Sequence, residues 1–171
     1  MNTEKEKTYI RQTTLPEIGV AGQEKIGKAK IAIIGCGGLG SAVAVYLAAS
    51  GIGHLHLIDY DKIDLSNLHR QVFYRRDQVG MSKAKTLTAY IQEISQYVDV
   101  SYAEEPITKS NIYEQLNSFS LVIDCTDSLA TKYLLNDYCV IGKKTLVYGS
   151  LYFLDLLFRV HIGFQSKSLD F

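Results

Sequence analysis

A chain of 171 residues has room for one domain with a real core and none for a second of ordinary size. Its 18 basic and 18 acidic residues balance, so no global field draws it to nucleic acid or to an anionic membrane, and any anion site is local. The opening MNTEKEKTYI has no apolar segment behind a basic one, and no run of about eighteen apolar residues occurs anywhere, so the cytoplasm is the expected compartment and no membrane span is expected.

Residues 1–28 are mostly polar and are expected to form an arm or a peripheral helix whose docking place the sequence leaves open. Lys30 to Ile34 is a short, β-branched-rich apolar stretch. It is followed at once by Gly-Cys-Gly-Gly-Leu-Gly and by an Ala/Val/Leu-rich segment from Ser41 to Ser50, which reads as strand, glycine turn and helix. His54 to Ile58 alternates like a second strand and delivers Asp59 at its C-terminal end. Ser82 is placed to cap a helix whose apolar residues Ala84, Leu87, Tyr90, Ile91 and Ile94 recur at helical spacing. Val98 to Tyr102, Leu121 to Cys125 and Thr145 to Tyr148 read as further strands, with a helix from Leu129 to Ile141 before the last.

Strands and helices alternating in this way predict an α/β fold: a Rossmann-like, doubly wound, mainly parallel sheet with helices on both faces, occupying 29–150. There is no internal repeat or proline-rich linker, and the only two prolines, Pro16 and Pro106, lie outside the proposed elements. Cys36, Cys125 and Cys139 are far apart and form no C-x-x-C pair, so neither zinc binding nor a redox dithiol is expected of them.

Gly35, Gly37 and Gly40 match G-x-G-x-x-G in the context that matters, after a strand and before a helix, where glycine lets the backbone approach a phosphate. The plainer alternative is a turn made for helix packing alone. Asp59 lies 19 residues beyond Gly40, near the spacing of about 20 at which a carboxylate accepts hydrogen bonds from a ribose. That much suits NAD and ATP equally. The segment that follows, Asp59-Tyr-Asp61-Lys-Ile-Asp64-Leu-Ser-Asn67-Leu-His-Arg70-Gln71, and then Lys83 favour ATP. A carboxylate attacking a polyphosphate brings two anions together and needs cations, which hydride transfer does not. Arg70 and Lys83 supply them unless they are ordinary solvated surface charges. Asp127, just past the fourth strand, suits Mg²⁺ shared with phosphate oxygens, or else caps the helix beginning near Ser128.

In this order and spacing GCGGLG, DYDKIDLSNLHRQ, VGMSKAK and DCTD resemble the ThiF/MoeB/HesA family of adenylyltransferases, relatives of ubiquitin-activating enzymes, from about Tyr9 to Ser150. The resemblance implies ATP-dependent adenylation of the C-terminal carboxylate of a small ubiquitin-like sulfur-carrier protein of the thiamine or molybdopterin type, with release of pyrophosphate. It implies a nucleotide loop of Gly35, Gly37, Gly38 and Gly40 and a ribose ligand in Asp59, with Asp61 beside it. Asn67, Arg70, Gln71 and Lys83 would contact phosphate, and Asp127 would bind magnesium. Arg11, in Arg11-Gln12, matches the family arginine that reaches across a homodimer into the partner's site.

The sequence also departs from the family. Relatives usually continue with a glycine-bearing strand pair, two C-x-x-C zinc pairs and a crossover loop. None is recognisable here, and Ser128 stands after DCTD where Asn is usual. Residues 151–171 are therefore expected to be a divergent tail of a truncated or frameshifted chain, or a final strand with a disordered end. Two other readings of the whole stay open: a non-catalytic nucleotide-binding module and an NAD-dependent oxidoreductase.

Overall fold

The computed structural model describes residues 3–152, 155–162 and 165–166. Inside its sheet, flanked on both edges, is β1 (Lys30–Ile34), which sends Ile31 and Ile33 into one apolar layer and Ala32 and Ile34 into the other. A strand covered on both sides has no polar face to show, hence its unbroken apolar run. Parallel to it lie β2 (His54–Ile58) and β4 (Leu121–Asp124), with β3 (Asp99–Ala103) beyond β2 and β5 (Thr145–Tyr152) beyond β4. Two antiparallel strands, β6 (Asp155–Ile162) and β7 (Gln165–Ser166), complete the order β3-β2-β1-β4-β5-β6-β7.

Helices α4 (Gly38–Ala49) and α5 (Lys83–Ile94) cover the face of Ile31 through Ala44, Val45, Ala48, Leu87 and Ile91. Helices α6 (Ile112–Leu116) and α7 (Leu129–Ile141) cover the opposite face through Leu116, Leu135 and Cys139. The expected doubly wound, mainly parallel architecture is what forms. The connections leave β1 and β4 toward opposite faces, so a crevice opens beyond their carboxyl ends, where ligands of open α/β sheets bind.

Element bounds shift where partners decide them. The first crossover helix starts at Gly38, not Ser41, because the last glycines of the turn are already helical. The third strand starts at Asp99, whose N–H donates to the Gly53 carbonyl, one residue later than expected. The fifth strand runs four residues past Tyr148 because β6 pairs with it from Leu146↔His161 to Tyr152↔Asp155. This corrects the expectation that a strand pair is missing after Ser150. Residues 153–154, 163–164 and 167–171 of the expected tail lie outside the described residues.

The N-terminal arm is three short helices, α1 (Glu4–Thr8), α2 (Ile10–Thr13) and α3 (Gly19–Ile26). It docks on a notch at the start of β2. Tyr9 is buried edge-on to Tyr97, and its ring occupies the space that a Cβ on Gly51 would need. The Gln23 side-chain amide donates to the Ser50 carbonyl at 2.9 Å, and the Gly27 carbonyl fills the place of a Cβ on Gly53. Among the described residues no helix is long and apolar enough to cross a membrane.

On the α6 side His56 stacks on Phe119 and is fixed in one tautomer. Gln115 gives its amide N–H to Glu105, so its oxygen, 3.0 Å from His56 Nε2, calls for a proton there. His56 Nδ1 is then the acceptor for the Ser101 hydroxyl at 2.8 Å. Burial lowers the His56 pKa from the ordinary imidazole value. Native protein is therefore expected to lose stability as pH falls below about 6.5, because the unfolded chain takes up a proton that the fold resists. Urea midpoints measured between pH 8 and 5 should fall more steeply for native protein than for His56→Asn; parallel slopes would contradict this.

Candidate functional site

The turn from Gly35 to Gly40 separates glycines that the fold needs from glycines that it does not. Gly35 has φ 89, donates its N–H to the Ile58 carbonyl at 2.8 Å, and would bring a Cβ to 3.0 Å from the Cys125 backbone. A Cβ on Gly40 would fall on the Gly35 carbonyl. Both positions are dictated by packing. At Gly37 and Gly38 a Cβ would meet only the Gln71 amide at 3.5 Å and the Arg70 carbonyl at 3.6 Å, which are ordinary contacts. Packing alone thus explains half of the turn. The other half keeps bare the N-terminus of α4, a helix of 12 residues that has no capping side chain. The Gly38 and Leu39 N–H groups have no acceptor among the described residues, so this positive end is free to meet an anion.

Asp59 closes the turn from below. Its carboxylate accepts the Cys36 N–H at 2.6 Å and the Asp61 N–H at 2.7 Å. Burial raises its pKa, and the two backbone N–H groups and Lys83 oppose that rise. Each carboxylate oxygen has a second lone pair for a further donor, so holding the turn and accepting from a ligand hydroxyl are compatible.

Asn67 is a hub rather than a free amide: its oxygen accepts from Arg70 Nη2 at 3.0 Å and from Gln71 Nε2 at 3.1 Å. Arg70 lies beside Gly38 through its carbonyl and Cγ, and Gln71 beside Gly37 through its side-chain amide. Gln71 is only 3% exposed, and its own oxygen is buried without a partner among the described residues. Lys83, the first residue of α5, is buried and binds the Asp61 carboxylate at 2.9 Å. Asp61 therefore holds Lys83 in place. A residue the sequence did not flag completes the wall: the buried Tyr74 hydroxyl donates to the Cys36 carbonyl at 2.7 Å. In sequence it reads only as one more apolar residue.

Asp127 stands in the loop between β4 and α7, and its neighbour caps the helix: the Ser128 hydroxyl accepts the Thr131 N–H at 3.3 Å. The capping alternative for Asp127 is thereby set aside. Asp127 is exposed and makes no hydrogen bond or ion pair among the described residues. Thr126, next to it, abuts Gly35.

The structure brings the turn, Asp59, Asp61, Asn67, Arg70, Gln71 and Lys83 to one end of the sheet, with the Asp127 loop beside them. It does not bring Arg11 there. Arg11 is exposed on α2, two residues beyond Tyr9, which sits at the opposite end of the sheet, about one five-residue strand or 17 Å away. The thiols are poor nucleophiles: burial pushes Cys36 up, Cys125 to about 12 and Cys139 to about 11.

The family model described as the ThiF family matches residues 9–167, past the expected limit at Ser150. An "Adenylyltransferase and sulfurtransferase MOCS3" of Culex quinquefasciatus is 42% identical over 150 residues, which are 88% of this chain and 34% of that protein. One from Dictyostelium discoideum is 44% identical over 142 residues, 83% of this chain and 33% of that protein. The chain thus spans about a third of the length of these relatives. Among solved structures, E. coli MccB with MccA-N7isoASN superposes with a TM-score of 0.82 at 26% identity, over 96% of this chain and 49% of that one. E. coli tRNA N6-threonylcarbamoyladenosine dehydratase, TcdA, in complex with AMP superposes with a TM-score of 0.80 at 31% identity, over 88% and 61%.

The two kinds of glycine predict opposite phenotypes. Gly40→Ala should cost about 3 kcal/mol, or roughly 10 °C in melting temperature, by overpacking. Gly38→Ala should melt within about 0.5 kcal/mol of native, since nothing packs there, yet weaken adenine-nucleotide binding about tenfold or more in calorimetric titration. Equal nucleotide affinity for Gly38→Ala and native protein would refute the reading of the bare helix end.

Proposed function

The chain belongs to the ThiF family, and from that premise we propose that its cleft binds ATP and that the chain adenylates the C-terminal carboxylate of a small ubiquitin-like sulfur-carrier protein, releasing pyrophosphate. The observation that carries this reading is the uncapped α4 N-terminus at the same end of the sheet as a buried lysine held by Asp61 and an arginine held by Asn67. The similarity to MOCS3 proteins, described as adenylyltransferases and sulfurtransferases, and to the AMP complex of TcdA supports it.

On this reading the N–H groups of Gly38 and Leu39 anchor the phosphates, and Asp59 accepts from the ribose hydroxyls through its remaining lone pairs. Arg70 and Lys83 offset the charge that grows as the carrier's carboxylate oxygen bonds to the α-phosphorus while the bond to the leaving pyrophosphate breaks. No protein nucleophile is needed for that step; positioning and charge neutralisation suffice. The buried Gln71 oxygen, left without a partner, gains one when a nucleotide hydroxyl or ordered water enters the cleft.

Magnesium fits the residues present. Asp127 is a carboxylate without a partner among the described residues, at the carboxyl edge of the sheet, and this ion takes few protein oxygens. When bound, it would share phosphate oxygens and offset their charge. Arg11, remote from its own cleft, would act in that of a second copy in a homodimer. The cytoplasm is the compartment assigned. An NAD-dependent reading gives Arg70 and Lys83 nothing to do.

Carrier-dependent exchange of pyrophosphate into ATP tests the proposal. Arg70→Ala and Lys83→Ala should each lower the exchange rate about 100-fold or more, the scale of losing one preorganised donor. ATP binding without any exchange would instead favour a non-catalytic module. Arg11→Ala should be inactive alone, yet recover up to about a quarter of native exchange when mixed with an equal amount of Lys83→Ala, since random pairing gives half mixed dimers, each with one intact site. No recovery would remove Arg11 from the partner's site.

A further inference from the structure

Asp124, the last residue of β4, is 1% exposed and pairs in register with Ile34, which immediately precedes the glycine turn. Both oxygens of its carboxylate are engaged. Oδ1 accepts the Thr126 N–H at 2.9 Å and the Thr126 hydroxyl at 2.7 Å, and Oδ2 accepts from Lys132 Nζ at 3.1 Å. Lys132 stands on α7 with its side chain 14% exposed and its ammonium 5.6 Å from the centre of the Tyr148 ring on β5. A buried ion pair is a poor way to fill an apolar layer, since well-packed apolar residues of equal volume are often as stable or more so.

The pair makes sense through what it fixes. It joins the end of β4, the loop after it and the first turns of α7, and Ser128 pins the loop from its far side by capping the helix. Between the two pins stands Asp127, exposed and without a partner among the described residues.

Building on the reading of the cleft as an ATP site, we propose that Asp124 and Lys132 are a positioning pair that sets the Thr126–Asp127 turn against Gly35, so that the Asp127 carboxylate is presented to a divalent cation riding on the phosphates. Neither residue touches the nucleotide. Lys132 acts by keeping Asp124 ionised in the layer, and Asp124 by taking both donors of Thr126 and so fixing the direction in which the chain leaves the strand. The glycine turn itself, held by Asp59 and Tyr74, is independent of the pair.

The test is calorimetric titration of a non-hydrolysable ATP analogue with magnesium present and with EDTA. Native protein should bind in both conditions and gain affinity from the metal. The double variant Asp124→Asn/Lys132→Met, which removes both charges and so leaves none stranded, should keep its EDTA affinity within about twofold while its gain from magnesium falls about tenfold, the scale seen for residues that orient a metal ligand. Lys132→Arg alone, which keeps a cation against Asp124, should keep the gain. If the double variant does not fold by circular dichroism, Thr126→Val, which removes one donor and leaves the ion pair, decides by the same comparison. A full magnesium gain in either variant overturns the positioning role while leaving the ATP reading intact. A native protein that binds the analogue in neither condition overturns the ATP reading, and the pair's role with it.

Discussion

The short hydrogen bond from the Cys36 N–H to the Asp59 carboxylate is the joint on which the cleft is built. It fastens the second residue of the glycine turn to the end of the neighbouring strand. A buried, charge-assisted bond of this kind contributes about 1.5–3 kcal/mol. Tyr74 secures the other side of the same residue by donating to its carbonyl, so both backbone groups of Cys36 are held by side chains from outside the turn. A turn fixed at that point has no need to wrap back on itself for hydrogen bonds. The next N–H groups, at the start of α4, can stay bare because the turn is rigid without them. The burial that keeps the Cys36 thiol protonated is a by-product of the same arrangement.

Around this joint the cations are organised by neutral or anionic partners that limit where they can go. Lys83 is tied to Asp61, Arg70 to the Asn67 oxygen and Lys132 to Asp124. The stability gained from a pair with one half-exposed member, such as Lys83–Asp61, is small. The gain in position is larger, because a lysine or arginine side chain has up to about 2 kcal/mol of rotamer freedom to lose before it can serve a fixed anion. Pre-pairing removes that freedom during folding instead of during binding. The arrangement also explains why the segment after β2 is so acidic beside a cleft proposed to take anions: Asp61 pairs with the lysine, while Asp64 caps the short turn Leu65–Asn67 that carries the Asn67 hub.

The sheet and the glycine turn were legible because their signals are local. An unbroken apolar strand, a G-x-G-x-x-G turn and a carboxylate at the end of the next strand are each written in adjacent residues. Three things were not legible, each for a different reason. Asp61 and Asn67 could be placed near phosphates, but their roles as partners of Lys83 and Arg70 depend on contacts that spacing does not reveal. Tyr74 and Lys132 carry no motif, since a tyrosine in an apolar stretch and a lysine in a helix fit many surroundings; only a carbonyl and a carboxylate brought from distant segments give them their work. The continuation of β5 was missed because a strand's length is set by its neighbour, and β6 lies downstream of where the family motifs end.

The pair Gly51 and Gly53 links the two ends of the sheet. These glycines have no ligand to admit; they make room for Tyr9, Gln23 and the Gly27 carbonyl, and so seat the arm where β2 begins. Had the arm folded over the carboxyl ends of the strands, it would have covered the crevice between β1 and β4 and put Arg11 over its own glycine turn. Seated at the amino end, it leaves the crevice uncovered and keeps Arg11 at the end of the sheet remote from the glycine turn. On the proposed reading, a side chain so placed would serve catalysis only in another molecule's cleft, and the glycine notch on one side of the sheet would then be a condition for the chemistry proposed on the other.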